Sequence, residues 1–292
     1  MALPVLFGAN VDPVWEDPQY PLRLARQVDA SGLDFITVQD HPYQSAFYDA
    51  WTLLTFLAAR TQHVTFVPTV ANLPLRPPAV LAKAAASLAL LTGGRVQLGL
   101  GAGAFWDAIA AFGGPRRNGK EAVDALEEAI DVIRAMWSGE RSVRTSGAHY
   151  SVSGAHPGPP AGPELGIWLG AYRPRMLALT GRKADGWIPS LGFLGLDKLP
   201  EAVARIDDAA SAAGRDPAAI RKVYNLGGLI GPESPELFHG SVRQWVDQLV
   251  TIVREHGMNG FTFWPSDDRE HQLAIFAAEV APAARAAMTK TD

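Results

Sequence analysis

An aspartate and a histidine stand side by side where an apolar run ends, in DFITVQDHP (34–42). His41 is the residue type that exchanges protons near neutral pH. An imidazole leaving a buried strand can do so, or can hydrogen-bond a bound molecule. Taken alone, Asp40 and His41 fit a capping aspartate beside a packed ring equally well. Three other stretches offer company. PTVAN (68–72) sets Thr69, Val70 and Asn72 at the end of a second apolar run. GGRVQLGLGAG (93–103) brings Gly99, Gly101, Ala102 and Gly103 together, followed by Phe105, Trp106 and Asp107. GAYRPR (170–175) joins Gly170 and Ala171 to a helix opened by Pro174, with Arg173 and Arg175 beside it. Free N–H groups at such a helix start, next to two arginines, suit an anion; solvated surface arginines are the plainer alternative.

Other chemistries lack their residues. There is no cysteine, so disulfides, thiolate nucleophiles and Cys-ligated zinc are excluded. The 7 histidines form no H-x-H or H-E-x-x-H pattern, and no G-x-S-x-G occurs. With 26 Lys+Arg against 30 Asp+Glu the chain carries −4, without the basic footprint of a nucleic-acid binder. No apolar stretch is long enough for a membrane span and no leader pattern opens the chain, which leads to the expectation of a cytoplasmic protein.

The elements that must position these residues alternate throughout. Strand-like runs at 3–10, 34–40, 63–70, 95–101, 166–171, 185–190, 223–231 and 260–265 are each followed by a helical pattern. Val123, Leu126, Ile130, Ile133 and Trp137 form one apolar stripe, with Asn118 and Glu121 at capping distance before it. Ser241 and Gln244 make a second box, and Gly257 stops that helix. Runs such as ITV and FTFW are apolar on both faces, as buried parallel strands are. Eight strand–helix units in 292 residues fit a (β/α)8 barrel occupying 1–292 as one domain, with an irregular insertion around 138–165; a doubly wound sheet is the alternative.

Gly99, Gly101 and Ala104 also satisfy G-x-G-x-x-G/A. A dinucleotide fingerprint, however, opens the first strand–helix unit and needs an acid at a strand end about 20 residues on. The nearest acid, Glu121, lies at a helix start, so the glycines read better as room for a cofactor to approach the barrel's rim. Trp15, Phe47, Trp106, Phe193 and Trp264 fall near strand ends, and with Phe105 they suit an apolar substrate pocket; ordinary core packing is the alternative.

Four segments together resemble the luciferase-like flavin monooxygenases and their deazaflavin relatives. They are GLDFITVQDH (32–41), LPLRPPAVLAKAAASLALLTGGRVQLGLGAG (73–103), KADGWIPS (183–190) and GSVRQWVDQL with GMNGFTFWP (240–265). The resemblance implies a barrel of the bacterial luciferase type that binds coenzyme F420, or alternatively FMN. It places Asp40 and His41 beside the ring and a cis peptide at Thr69–Val70 behind it, next to Asn72. Gly101, Ala102, Gly103 and Asp107 would edge the ring and its side chain. Gly170, Ala171, Arg173 and Arg175 would hold the phosphate. The implied activity is hydride transfer to or from a small apolar or aromatic substrate, in a homodimer. An oxygen-using FMN monooxygenase and a non-catalytic flavin-binding protein are the alternatives. One departure stands out: sugar-phosphate dehydrogenases of this branch carry an acid after the glycine turn, and here that place reads Ala104.

Overall fold

Local chemistry starts and stops the helices where the sequence expects. Asn118 Oδ1 accepts from the amides of Lys120 and Glu121 at 3.0 Å each, and the Glu121 carboxylate accepts from Asn118 N at 2.9 Å. Ser241 and Gln244 close the same reciprocal box. Gly257 ends its helix with φ 66°, a left-handed value that costs glycine no Cβ clash.

The computed structural model describes residues 3–289. Among them the barrel strands are β1 (Leu6–Asn10), β2 (Phe35–Val38), β3 (Thr65–Pro68), β4 (Leu98–Gly101), β5 (Ile167–Leu169), β6 (Gly186–Trp187), β7 (Arg221–Ile230) and β8 (Gly260–Pro265). Neighbours pair in parallel in the order β3-β2-β1-β8-β7-β6-β5-β4. The circuit closes where Phe66 N bonds Arg95 O at 3.0 Å and Gln97 N bonds Phe66 O at 2.9 Å. Beyond a kink, Ala71 and Asn72 pair with Leu100 and Gly101 of β4. The doubly wound alternative is thereby removed.

Helices α1 (Tyr20–Ala30), α2 (Ala50–Ala58) and α3 (Pro78–Thr92) follow the first three strands. The short α4 (Trp106–Ala111) and long α5 (Gly119–Trp137) follow β4. Then come α6 (Pro174–Lys183), α7 (Leu199–Ala212) and α8 (Val242–His256). The last helical stretch, legible as one pattern, is divided into α9 (Arg269–Ile275), a π turn (Phe276–Val280) and α10 (Ala281–Thr289). The segment between α5 and β5 holds an antiparallel hairpin, Val143–Thr145 against Val152–Ala155.

Most of the core lies between sheet and helices, where Trp245, Phe263 and Phe276 pack at 4.7–6.1 Å between ring centroids. A smaller apolar group, Phe35, Val67, Trp168, Ile188 and Val223, fills the barrel's interior. Among the described residues no helix is long and apolar enough to cross a membrane.

Candidate active site

A cavity of ≈ 1210 Å³ opens at the C-terminal ends of the strands, the end where barrels of this kind assemble their sites. Asp40, His41, Thr69, Val70, Asn72, Gly101, Ala102, Gly103, Phe105, Trp106, Gly170, Arg173, Arg175, Phe193 and Trp264 all line it.

Asp40 does not stand free beside that space. Its carboxylate takes Arg76 Nε and Nη2, each at 2.6 Å, and the backbone N–H of Asn72 at 2.9 Å. Arg76 reaches on to Asp49 at 2.6 Å, and Asp49 caps α2 through Thr52 N. Burial works against the Arg76 charge, but the bonds to Asp40 and Asp49 outweigh it and raise the guanidinium pKa above its ordinary value. Asp40 is 1% exposed, so this bidentate pair clamps the ends of β2 and β3 together. Both Asp40 oxygens, expected beside a bound ring, are thus engaged by Arg76 and the Asn72 amide.

His41, its neighbour, is half-buried and lines the cavity. Its ring stacks on Tyr43 (5.5 Å, 17°) and meets the edge of Phe105 (5.9 Å, 76°). Burial pushes its pKa below the usual imidazole value, partly opposed by the Asp40 charge. Burial thus favours the neutral ring, the form able to take a proton. Phe105 is held at φ 55°, an unusual conformation for a residue with a side chain, and stays 60% exposed at the mouth.

The glycines answer to the protein itself. A Cβ on Gly99 would lie 1.9 Å from the Pro68 carbonyl oxygen, and one on Gly101 2.5 Å from Val70 Cγ2. Gly170 also faces Val70, at 3.3 Å. The Thr69–Val70 peptide is cis, and the Val70 side chain nests between these two glycines. The room they leave is thus taken up by β3 and its kink, and only the outer face of this floor borders the cavity.

At the other end, the N-termini of α5 and α6 approach one another. Gly119, Lys120, Arg173 and Arg175 line the space between them. Arg175 donates to Lys120 O at 3.4 Å and pairs with Asp124. Lys120 pairs with Asp124 as well, at 3.1 Å, so two of the three cations share one carboxylate; the two helix starts and the remaining positive charge suit an anion such as a phosphate.

Four expected residues lie elsewhere. Ala171 is fully buried below the floor, its carbonyl accepting from Trp187 Nε1 at 2.9 Å. Asp107 points outward with its side chain 92% exposed and pairs with Arg116, because α4 starts on the rim. Phe47 is tied by its backbone to Val14, outside the lining, and Trp15 bonds Ser45 O at 2.6 Å.

Sequence reasoning passed over Tyr43, Tyr172, Ser190, Asn225 and Gly227, all of which line the cavity. Burial raises the Tyr172 phenol above its ordinary pKa, with Ser190 acting in the opposite direction. Tyr172 also packs against Phe193, 5.5 Å between centroids. Asn225 had a signal: a polar residue inside an otherwise apolar buried strand. Four lining residues carry buried polar atoms with no partner, namely Thr69 Oγ1, Asn72 Oδ1, Asn225 Oδ1 and Trp264 Nε1.

The C-terminal face of this parallel eight-stranded barrel thus gathers a half-buried imidazole, four unpartnered polar atoms and a cluster of cations around one cavity. Residues 2–286 match the luciferase-like monooxygenase family, and the chain belongs to it. It is 33% identical, over 82% of its length, to a phthiodiolone/phenolphthiodiolone dimycocerosates ketoreductase of Mycobacterium kansasii, and spans 63% of that protein. It is 29% identical to an F420-dependent glucose-6-phosphate dehydrogenase of Gordonia bronchialis, over 90% of this chain and 79% of the relative. Among solved structures, an F420-dependent secondary alcohol dehydrogenase in complex with an F420-acetone adduct superposes with TM-score 0.86 at 19% identity. That match covers 97% of this chain and 99% of the other, a likeness of fold.

Proposed function

We propose that this protein is an F420-dependent oxidoreductase acting on a neutral, largely apolar organic substrate. The observation that carries the reading is the division of one cavity. One end offers Lys120, Arg173, Arg175 and two helix starts to an anionic cofactor tail, while another wall presents the half-buried His41 imidazole. The names of the Gordonia relative and of the superposed dehydrogenase support the cofactor, and that of the mycobacterial ketoreductase supports the class of reaction.

The residues fit such a group. Thr69 Oγ1 and Asn72 Oδ1 are unpartnered beside the Val70 floor, where the polar edge of a planar ring would satisfy them. When bound, F420 supplies a carbon that gives or accepts hydride. The chain's own part is to hold, orient and move a proton. Val70 and its flanking glycines provide a flat apolar floor, and the Asp40–Arg76 clamp fixes that floor to β2. His41 takes the proton from a substrate hydroxyl in oxidation and returns it in reduction, which the neutral ring favoured by burial permits. Ala104 and its neighbours add no carboxylate, and Asp40 is the lining acid already committed to Arg76, which leaves the proton to His41. The same shortage of free charge on the β6–β8 wall favours a neutral substrate over a sugar phosphate.

Titration of the purified protein with F420 and with FMN tests this. Preferential F420 binding, followed by hydride exchange with a neutral alcohol or ketone that consumes no oxygen, is expected. Preference for FMN with oxygen uptake would move the protein to the monooxygenase reading. Binding of either cofactor with turnover unaffected by His41→Ala would remove the role given to His41.

A further inference from the structure

The β7–β8 wall of the cavity carries a polar pair that the protein leaves unfinished. Asn225 is 5% exposed. Its N–H bonds Pro189 O at 2.9 Å, its carbonyl takes Leu191 N at 3.0 Å, and its Nδ2 donates to Ser190 Oγ at 3.1 Å. Oδ1 is left without a partner, and so is the indole Nε1 of Trp264 on the next strand. The parallel register sets Asn225 opposite Thr262 and Gly227 opposite Trp264. Since side chains alternate along a strand, Asn225 and Trp264 share one face as diagonal neighbours. Gly227 sits at that corner, and a Cβ added there would meet nothing within 4 Å. Both residues line the cavity, and around them Ile188, Tyr172 and Phe193 offer apolar surface.

A buried acceptor and a buried donor without partners are each costly, and the cost is recovered when a ligand supplies the complement. An alcohol oxygen does so at both in the resting complex, donating its proton to Asn225 and accepting from the indole; rotation about the C–O bond then turns that proton to His41 for the oxidation step. A ketone oxygen only accepts. For it the Asn225 amide turns end for end, Nδ2 facing the ligand and Ser190 donating to Oδ1, because a hydroxyl serves in either role.

We propose that Asn225 and Trp264 bind the oxygen of a neutral alcohol or ketone, whose apolar body lies outward along Phe193. This rests on the reading above that the β2–β5 side of the cavity takes the cofactor. A carboxylate or phosphate would offer Asn225 no proton and, among the described residues, finds no cation lining this corner.

The test uses protein labelled with ¹⁵N-indole tryptophan and loaded with F420, loading being read from the coenzyme's own fluorescence. The Trp264 Nε1–H signal is assigned by its loss in Trp264→Phe. Addition of 1-phenylethanol or acetophenone is expected to move that signal downfield, and ethylbenzene, of the same shape without oxygen, to leave it in place. Asn225→Ala should weaken 1-phenylethanol binding about tenfold, as for one lost hydrogen bond, without changing F420 affinity. An equal response to ethylbenzene, no response to either oxygenated probe, or a full shift on F420 addition alone overturns the proposal. If F420 fails to bind, the cofactor reading falls by that separate signal. The alcohol titration then proceeds on the cofactor-free protein, where the same shift is expected of the pair.

Discussion

The barrel has a cavity at each end, and they differ in how their polar groups are spent. The lower one, ≈ 640 Å³, is lined by Asp29, Asp34, Thr65, Gln97, Phe35 and Trp168 among others. There Asp29 accepts from the amides of Gln62, His63 and Val64 at 2.7–3.0 Å. Asp34 takes Phe7 N at 2.7 Å and Arg285 at 2.5 Å, while Gln97 bonds both Glu164 O and Gly166 N. Among the described residues, none lining this lower space carries a buried unpartnered polar atom, whereas four at the upper end do. Both ends enclose volume. Among the described residues lining the two spaces, unpartnered buried polar atoms occur at the upper end alone, so the bonding pattern, more than the size of a hollow, marks the candidate site.

The largest effect expected from breaking this contrast is at its most polar joint. Asp40→Asn leaves Arg76 half-paired in a buried setting and should cost about 4 kcal/mol of unfolding free energy. Urea unfolding measures it, and a loss no greater than that of a surface mutation would deny the clamp. Gly99→Ala forces a methyl against the Pro68 carbonyl and should cost about 3 kcal/mol by the same measurement. A tolerated alanine would show that the barrel closure is looser than described.

These two positions also show what the sequence can and cannot tell. The strand order, both capping boxes and the Asp40–His41 exit were legible, because periodicity and cap chemistry are local. The partner of Asp40 was not, since Arg76 lies 36 residues away and nothing in LPLRPP marks it as the end of an ion pair. The glycines were visible as missing side chains, yet what fills the gap, Val70, depends on a neighbouring strand. Asn225 and Ser190 were passed over because one polar residue in an apolar strand carries no spacing rule. Asp107 was overextended for a related reason: proximity in sequence to the glycine turn does not survive the turn into α4.

Smaller effects sharpen the comparison within the upper end. His41→Gln should lower turnover about a hundredfold with unfolding free energy nearly unchanged, as steady-state rates and urea curves would reveal. Alcohol oxidation by the unaltered protein should fall on the acid side, with an apparent pKa below the ordinary 6.5 of imidazole, because protonated His41 cannot accept a proton. The same depressed pKa means that the unfolded chain binds more protons below pH 6.5, so stability also declines there. A pH–rate profile unchanged in His41→Gln would place the proton elsewhere. The lower end supplies the control. Asp29→Asn should cost about 1 kcal/mol of stability, as for a weakened set of hydrogen bonds, and leave cofactor affinity untouched. Asp107→Asn, on an exposed side chain, should change neither the melting temperature nor turnover.

The central claim is that the upper cavity holds a deazaflavin. It is met most directly by titrating the protein into F420 and into FMN while following the fluorescence of each. The account predicts saturable F420 binding at least about tenfold tighter than that of FMN, weakened when Arg173 is replaced by alanine. Tighter binding of FMN, or F420 binding indifferent to Arg173, would contradict it.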